Sequence, residues 1–194
     1  MNCKKTNSYL IVISGPSGVG KATISKALLQ KCPCINYSIS ATTRKPRPEE
    51  SNGVDYWFMD RKEFQRKIKQ DFFVEWAIVH GNYYGTPVSS IRSMMDQGQH
   101  VLLEIDVQGA LRVKKIFQEQ CLLFFILPPS FEELKIRLMK RASETLEEIE
   151  RRLDTARLEL LQQDEYDYTI INDDIDRAVN QVLVTLQGRL CIEK

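Results

Sequence analysis

The stretch GPSGVGKAT, residues 15–23, has the composition of a polyphosphate cradle. Gly15, Gly18 and Gly20 let the backbone curl so that several N–H groups point inward, and Lys21 adds a mobile positive charge. Pro16, Ser17 and Val19 complete the loop. The usual form places Ser or Thr directly after the Lys. Here that position is Ala22, and the hydroxyl arrives one residue late, on Thr23. A glycine-rich surface turn would share the glycines but not the setting. SYLIVIS (8–14) reads as a buried strand, and GKATISKALLQK (20–31) has a helical period with Ile24, Ala27 and Leu28 on one side. Strand, glycine loop and helix predict a nucleotide-phosphate site at the N-terminus of that helix.

Further groups suit the same chemistry. Glu104 and Asp106, in LLEID, are two apart near the end of an expected strand. They therefore share one face, where a carboxylate can hold Mg²⁺ directly or through water. Ser40, Arg44, Arg47 and Glu50 stand in SISATTRKPRPEE, with Tyr56, Glu75 and Tyr84 downstream. Two guanidinium groups and two phenols are suitable ligands for a second phosphate. A carboxylate such as Glu75 can accept from guanine N1–H and N2–H₂, and a hydroxyl such as Ser40 can donate to O6. Adenine presents a donor where guanine presents O6. On residue types alone these positions are equally the polar residues of a solvated proline loop. Arg137 and Arg141, in KIRLMKR, are four apart and share a helix face, which fits either a basic solvated surface or charge delivered to a transferring phosphoryl group.

The elements that must position these groups follow from pattern. INYSISATT (35–43) alternates like a half-buried strand, RKPRPEESNG (44–53) is a loop and turn, and VDYWFM (54–59) is a short strand. Asp60, with Glu63 three residues on, caps a helix over 60–70. FFVEWAIV (72–79) and YYGTP (83–87) are strands around Gly81-Asn82, so residues 35–87 form a strand-rich insert. Alternation then resumes: helix 88–98, strand 100–106, helix 107–120, strand 121–127 and a Ser130-capped helix over 131–141. The longest helix is expected over 144–163, with Leu146, Ile149, Leu153, Ala156 and Leu160 as one apolar stripe. A strand (166–172) and a helix (174–190) close the chain. The fold class is α/β, an open and mostly parallel sheet flanked by helices, with ligands outside the carboxyl ends of its strands.

At 194 residues the chain suits one α/β core with a small inserted lobe. Hydrophobic residues make up 43% and charged residues 27%, which is ordinary for a globular protein; a net charge of +1 supplies no general field for nucleic acid or an anionic membrane. The five cysteines (Cys3, Cys32, Cys34, Cys121 and Cys191) match no zinc or redox spacing and read as free thiols in a reducing cytosol. The apolar run YLIVI is too short for a signal-peptide core or a membrane span, so a cytoplasmic location is expected.

Over about residues 8–187 the sequence resembles the bacterial guanylate kinases, P-loop kinases of nucleoside monophosphates. The resemblance rests on GPSGVGK, SATTRKPR, NGVDYWF, FVEWAIVHGNYYGTP, LLEIDVQGA, ILPPS and INDD, in that order. It implies transfer of the ATP γ-phosphate to GMP with Mg²⁺, in one domain with a GMP-binding lobe (35–87) and a helical lid (129–160). By the resemblance, the 15–23 loop, Lys21 and Asn172 bind ATP. Ser40 and Glu75 contact guanine, and Arg44, Arg47, Tyr56 and Tyr84 hold the GMP phosphate. Glu50, Thr86 and Asp106 also face GMP, with Asp106 near the metal. Arg137, Arg141 and Arg152, with Lys21 and Arg44, serve the transferred group. A monomer or homodimer acting on small molecules, without nucleic acid or membrane, is implied.

Three departures stand out. Ala22 offers no hydroxyl to a metal, which predicts water-mediated metal binding and puts Thr23 on an α-phosphate oxygen. PEE at 48–50 replaces the family's Pro-Gly-Glu, and KRASET at 140–145 lacks a lid glycine at Ala142. A non-catalytic guanylate-kinase-like binding module typically lacks the working phosphate loop seen in Lys21 and its glycines. A kinase of another monophosphate is disfavoured by the Ser40 and Glu75 pair, and a GTPase by the lack of an N-K-x-D motif.

Overall fold

A computed structural model describes residues 8–79, 81–140 and 145–190. The described chain runs β1 (Leu10–Ser14), α1 (Lys21–Lys31), β2 (Ile35–Tyr37), β3 (Ala41–Thr42), β4 (Trp57–Phe58), α2 (Arg61–Ile68), β5 (Phe73–Val79), β6 (Asn82–Pro87) and α3 (Val88–Asp96). It continues through β7 (His100–Glu104), α4 (Val107–Phe117), β8 (Cys121–Leu127), α5 (Phe131–Met139), α6 (Leu146–Leu160), β9 (Tyr168–Ile171) and α7 (Ile175–Leu190).

Strands β2-β7-β1-β8-β9 form one sheet in which every pairing is parallel. Its central strands are apolar on both faces because helices cover both, and alternate residues sort the core into two layers. Ile11, Ile13, Phe124 and Ile126 pack with Ile24, Leu28, Val179 and Val182, toward α1 and α7. Leu10, Val12, Leu123 and Phe125 pack on the other face with Ile91, Ala110 and Val113, toward α3 and α4. The second sheet, β4-β3-β6-β5, is mixed and carries its own small core of Ala41, Phe64, Phe73 and Tyr83. Phe64 stacks on Phe73 with centroids 4.4 Å apart.

The expected strand over 35–43 divides between the two sheets. Ile35–Tyr37 pairs with β7, whereas Ala41–Thr42 pairs with β4 and β6. Both halves are extended and alternate alike, so the pattern does not reveal the change of partner. Only Trp57–Phe58 of the expected 54–59 strand pairs in a ladder, because Gly53, at φ 78°, turns the chain just before it. The helix caps follow expectation: Asp60 accepts from Glu63 N–H and Ser130 accepts from Glu133 N–H. Among the described residues the longest helix is α7, of 16 residues, one longer than α6. Ile149, Leu153 and Ala156 of the α6 stripe are buried in the first core layer with Leu134 and Leu138 of α5. The Leu146 side chain lies outside the described residues.

Cys32 and Cys121 are buried and Cys34 is exposed, with the Cys32 and Cys34 sulfurs 3.0 Å apart. Cys3 and Cys191 fall outside the described residues, as do Arg141 and Ala142. Among the described residues, no group of three or more His, Cys, Asp or Glu is arranged to hold a metal ion. Within the same residues, no helix is long and apolar enough to cross a membrane.

Candidate active site

The parallel sheet delivers its chemistry at one end. The glycine loop leaves β1 there, Glu104 ends β7, Asp106 begins α4, and Asn172 follows β9. The loop glycines take conformations that other residues adopt only with strain: Gly15, Gly18 and Gly20 have φ of 136°, 91° and 96°. A Cβ on Gly15 would also lie 2.4 Å from the Ile126 carbonyl oxygen. Gly20 caps α1 without any side-chain hydrogen bond, and the first turn carries no acid, so the N-terminal amides keep their capacity to bind an anion. Lys21 Nζ donates to the carbonyls of Gly15 and Pro16, at 2.6 and 3.0 Å, which holds the ammonium across the loop. Ala22 and Thr23 are exposed at the start of α1.

The loop is braced from outside. Asn172, 2% exposed, donates from Nδ2 to the Val19 carbonyl at 2.6 Å. Arg137 donates to the Asn172 carbonyl at 3.1 Å and pairs with Glu133 at 3.0 Å. In the structure described, both residues sit behind the loop as supports, and the Asn172 amide is spent on Val19. Arg152 of α6 comes nearer the front, with one guanidinium nitrogen 3.4 Å from Ser17 Oγ.

Beside the loop lies a cavity of about 150 Å³. The core contributes Gly15, Ser17, Lys21, Glu104 and Asp106, the second sheet contributes Glu75 and Tyr84, Ser40 and Tyr56 come from just before its strands β3 and β4, and α6 contributes Arg152 and Glu159. Three parts of the fold, drawn from widely separated stretches of sequence, therefore meet in one space. Glu75 is 4% exposed, and its Oε1 accepts a 2.6 Å hydrogen bond from the fully buried Thr86 Oγ1. Burial pushes its carboxyl up to about 7, against the opposing pull of Thr86. Ser40 is likewise buried. Asp106 caps α4, accepting from Gly109 N–H at 2.9 Å, and still faces the cavity.

Arg44, Arg47 and Glu50 gather at the rim. Arg44 donates to Glu50 at 2.7 Å, and the Arg47 backbone N–H reaches the other carboxylate oxygen, also at 2.7 Å. The Arg44 hydrogen bond holds the Glu50 carboxyl below its ordinary range. Arg44 also lies over the Tyr56 ring, 5.4 Å from its centroid, and Tyr56 meets Tyr84 edge to face at 6.0 Å. Glu50 thus orients the two arginines. Together with Tyr56, Arg47 and Glu50 line a larger groove of about 710 Å³ that runs past Lys21, Ala22 and Thr23.

Glu159 is the wall residue that sequence reasoning missed. Its carboxyl is pushed up to about 7 by burial, with Lys21 opposing the shift and Asp106 adding to it. The available signal was its spacing from Arg152: seven residues is two helical turns, hence the same face.

Comparison with known proteins fits this geometry. A profile of the guanylate kinase family matches residues 7–188. The guanylate kinase of Clostridium perfringens (strain SM101) is 49% identical over 188 residues, covering 97% of this chain and 87% of that protein. That of Desulfitobacterium hafniense (strain Y51) is 46% identical over 97% of this chain and 94% of its own. The crystal structure of guanylate kinase from Anaplasma phagocytophilum superposes with a TM-score of 0.80 at 34% identity, covering 96% of this chain and 88% of that one. The SH3-kinase fragment of tight junction protein 3 shares the fold alone, with a TM-score of 0.51 at 12% identity. The match along nearly the whole chain, over an intact phosphate loop, makes this protein a member of the guanylate kinase family.

Proposed function

We propose that the protein transfers the γ-phosphate of ATP to GMP, forming ADP and GDP in purine nucleotide metabolism. The observation that carries this reading is the shared cavity, which the phosphate loop and the buried Glu75 and Ser40 both line, while Thr86 stays outside the lining and bonds to Glu75. The loop amides and Lys21 bind the ATP phosphates. Glu75 accepts from guanine N1–H and N2–H₂, Ser40 donates to O6, and Thr86 holds Glu75 in place. Adenine would leave these buried groups unpaired, which is the strong form of discrimination. Arg44, Arg47, Tyr56 and Tyr84 take the GMP phosphate, with Glu50 orienting both arginines.

Phosphoryl transfer needs in-line positioning and positive charge on the equatorial oxygens more than covalent help. Arg152, placed against Ser17, is suited to supply that charge, and the 129–160 segment that carries it acts as the lid that keeps water out. The wall acids Glu104 and Asp106 offer only oxygen donors, which suits Mg²⁺, and Ala22 offers none. Asp106 would hold the ion through water, and the ion would neutralise charge on the nucleotide phosphates. The protein acts on small molecules in the cytoplasm, as a monomer or homodimer.

Separate equilibrium titrations with GMP and with ATP test the division of labour. Glu75→Gln should weaken GMP and spare ATP, and Lys21→Ala should do the reverse. Equal weakening of both nucleotides by either variant would contradict the assignment.

A further inference from the structure

Gly109 is the third residue of α4, at a position where its φ is not left-handed, so no turn requires glycine there. Glycine in a helix is weaker than alanine, and the residue is buried, where a small side chain would ordinarily add packing. The space is already taken. A Cβ on Gly109 would lie 2.5 Å from Glu75 Oε2 and 3.0 Å from its Cδ. Glu75 cannot easily rotate away, since Thr86 holds its other oxygen at 2.6 Å. Gly109 N–H is itself fixed by Asp106 Oδ1, which ties the helix start to the cavity wall.

We infer that Gly109 is a specificity-determining positioning residue: its missing side chain sets where the Glu75 carboxylate sits, and so how well the site takes a guanine base. The inference rests on the reading of Glu75 as the guanine acceptor. A methyl group at 109 drives the carboxylate back toward the second sheet, out of line with the base edge. The group that must yield is the end of one side chain, so the helix and the sheets stay where they are. Binding of ATP at the phosphate loop does not involve this contact.

The test compares wild type, Gly109→Ala, Glu75→Gln and the double variant by thermal melting and by KM for GMP and for ATP. Gly109→Ala is expected to raise the GMP KM by about tenfold or more, since a shift of about 1 Å in a positioned group has effects of that order. Its ATP KM and melting midpoint should stay near wild type. In the Glu75→Gln background it should add little further loss, because the partner it acts through is already disabled. A wild-type GMP KM in Gly109→Ala, or a full additional loss in the double variant, would overturn the inference. So would a Gly109→Ala protein that fails to fold, because then more than the carboxylate must move. If Glu75→Gln leaves the GMP KM unchanged, the guanine reading fails, and the inference with it.

Discussion

On the proposed reading, Glu75 binds guanine as an anion in a place that opposes its charge. Its ordinary carboxyl value of 4.5 rises to about 7 on folding because burial removes water. Two pH effects follow. The folded protein binds this proton more tightly than the unfolded chain, so its contribution to stability is present below about 4.5 and is lost as pH rises to about 7. Glu159 behaves in the same sense over the same window. Glu75→Gln should therefore raise the melting midpoint of the unliganded protein at pH 8 and flatten its fall between pH 5 and 8, which a melting series would check. The GMP KM of the wild type, by contrast, should rise as pH drops below 7, because the protonated acid no longer accepts from the base. Ala22 is the other residue-level question. Ala22 is exposed at the start of α1 and has no side-chain oxygen, so in the proposed reaction Mg²⁺ would be left to phosphates, water and carboxylates. Ala22→Ser should accordingly change kcat by less than about tenfold, or ~1.4 kcal/mol in the barrier, in a steady-state assay; a larger change would contradict water-mediated binding.

At the scale of elements, the phosphate loop depends on supports supplied from elsewhere in the chain. Asn172, beyond β9, and Arg137 of α5 hold the loop through the Val19 and Asn172 carbonyls. Asn172→Ala removes a buried amide and leaves the Val19 carbonyl to find another donor, a loss of about 1–3 kcal/mol. It should lower the melting midpoint and raise the KM for ATP several-fold, with GMP little affected; an unchanged ATP KM would show that the loop holds its shape alone. These supports also show where sequence reading stops. β1, the loop and α1 were legible because three consecutive signals agree over Tyr9–Leu28: an apolar run, glycines with a lysine, and a helical period. The division of 35–43 between two sheets was not legible, since hydrogen-bond partners leave no mark on an alternating pattern. Asn172 carries the family resemblance, but nothing in INDD indicates that its amide faces Val19. Glu159 was hidden for the same reason, as one acid among many on a charged helix.

For the whole molecule, the arrangement explains why so large a part of the chain serves one small cavity. The parallel sheet fixes the phosphate loop, Glu104 and Asp106, the mixed sheet fixes Glu75 and Tyr84, and α6 adds Arg152 and Glu159 to the same cavity. The mixed sheet has a small apolar core of its own, and Val74 of β5 also packs on the core layer that α3 and α4 cover, so the two sheets are braced against each other. On the proposed reading, replacing Arg152, which lines the cavity beside Ser17, with Ala should lower kcat without raising either KM greatly, which a steady-state assay would check. The measurement that bears most directly on this account is ADP formation from ATP and Mg²⁺ with GMP, dGMP, AMP, UMP or no acceptor, beside a Lys21→Ala control. A GMP kinase should form ADP chiefly with the guanine nucleotides and little without an acceptor, and the signal should be lost in Lys21→Ala. Folded protein that forms no GMP-dependent ADP, or forms it equally with AMP, would contradict it.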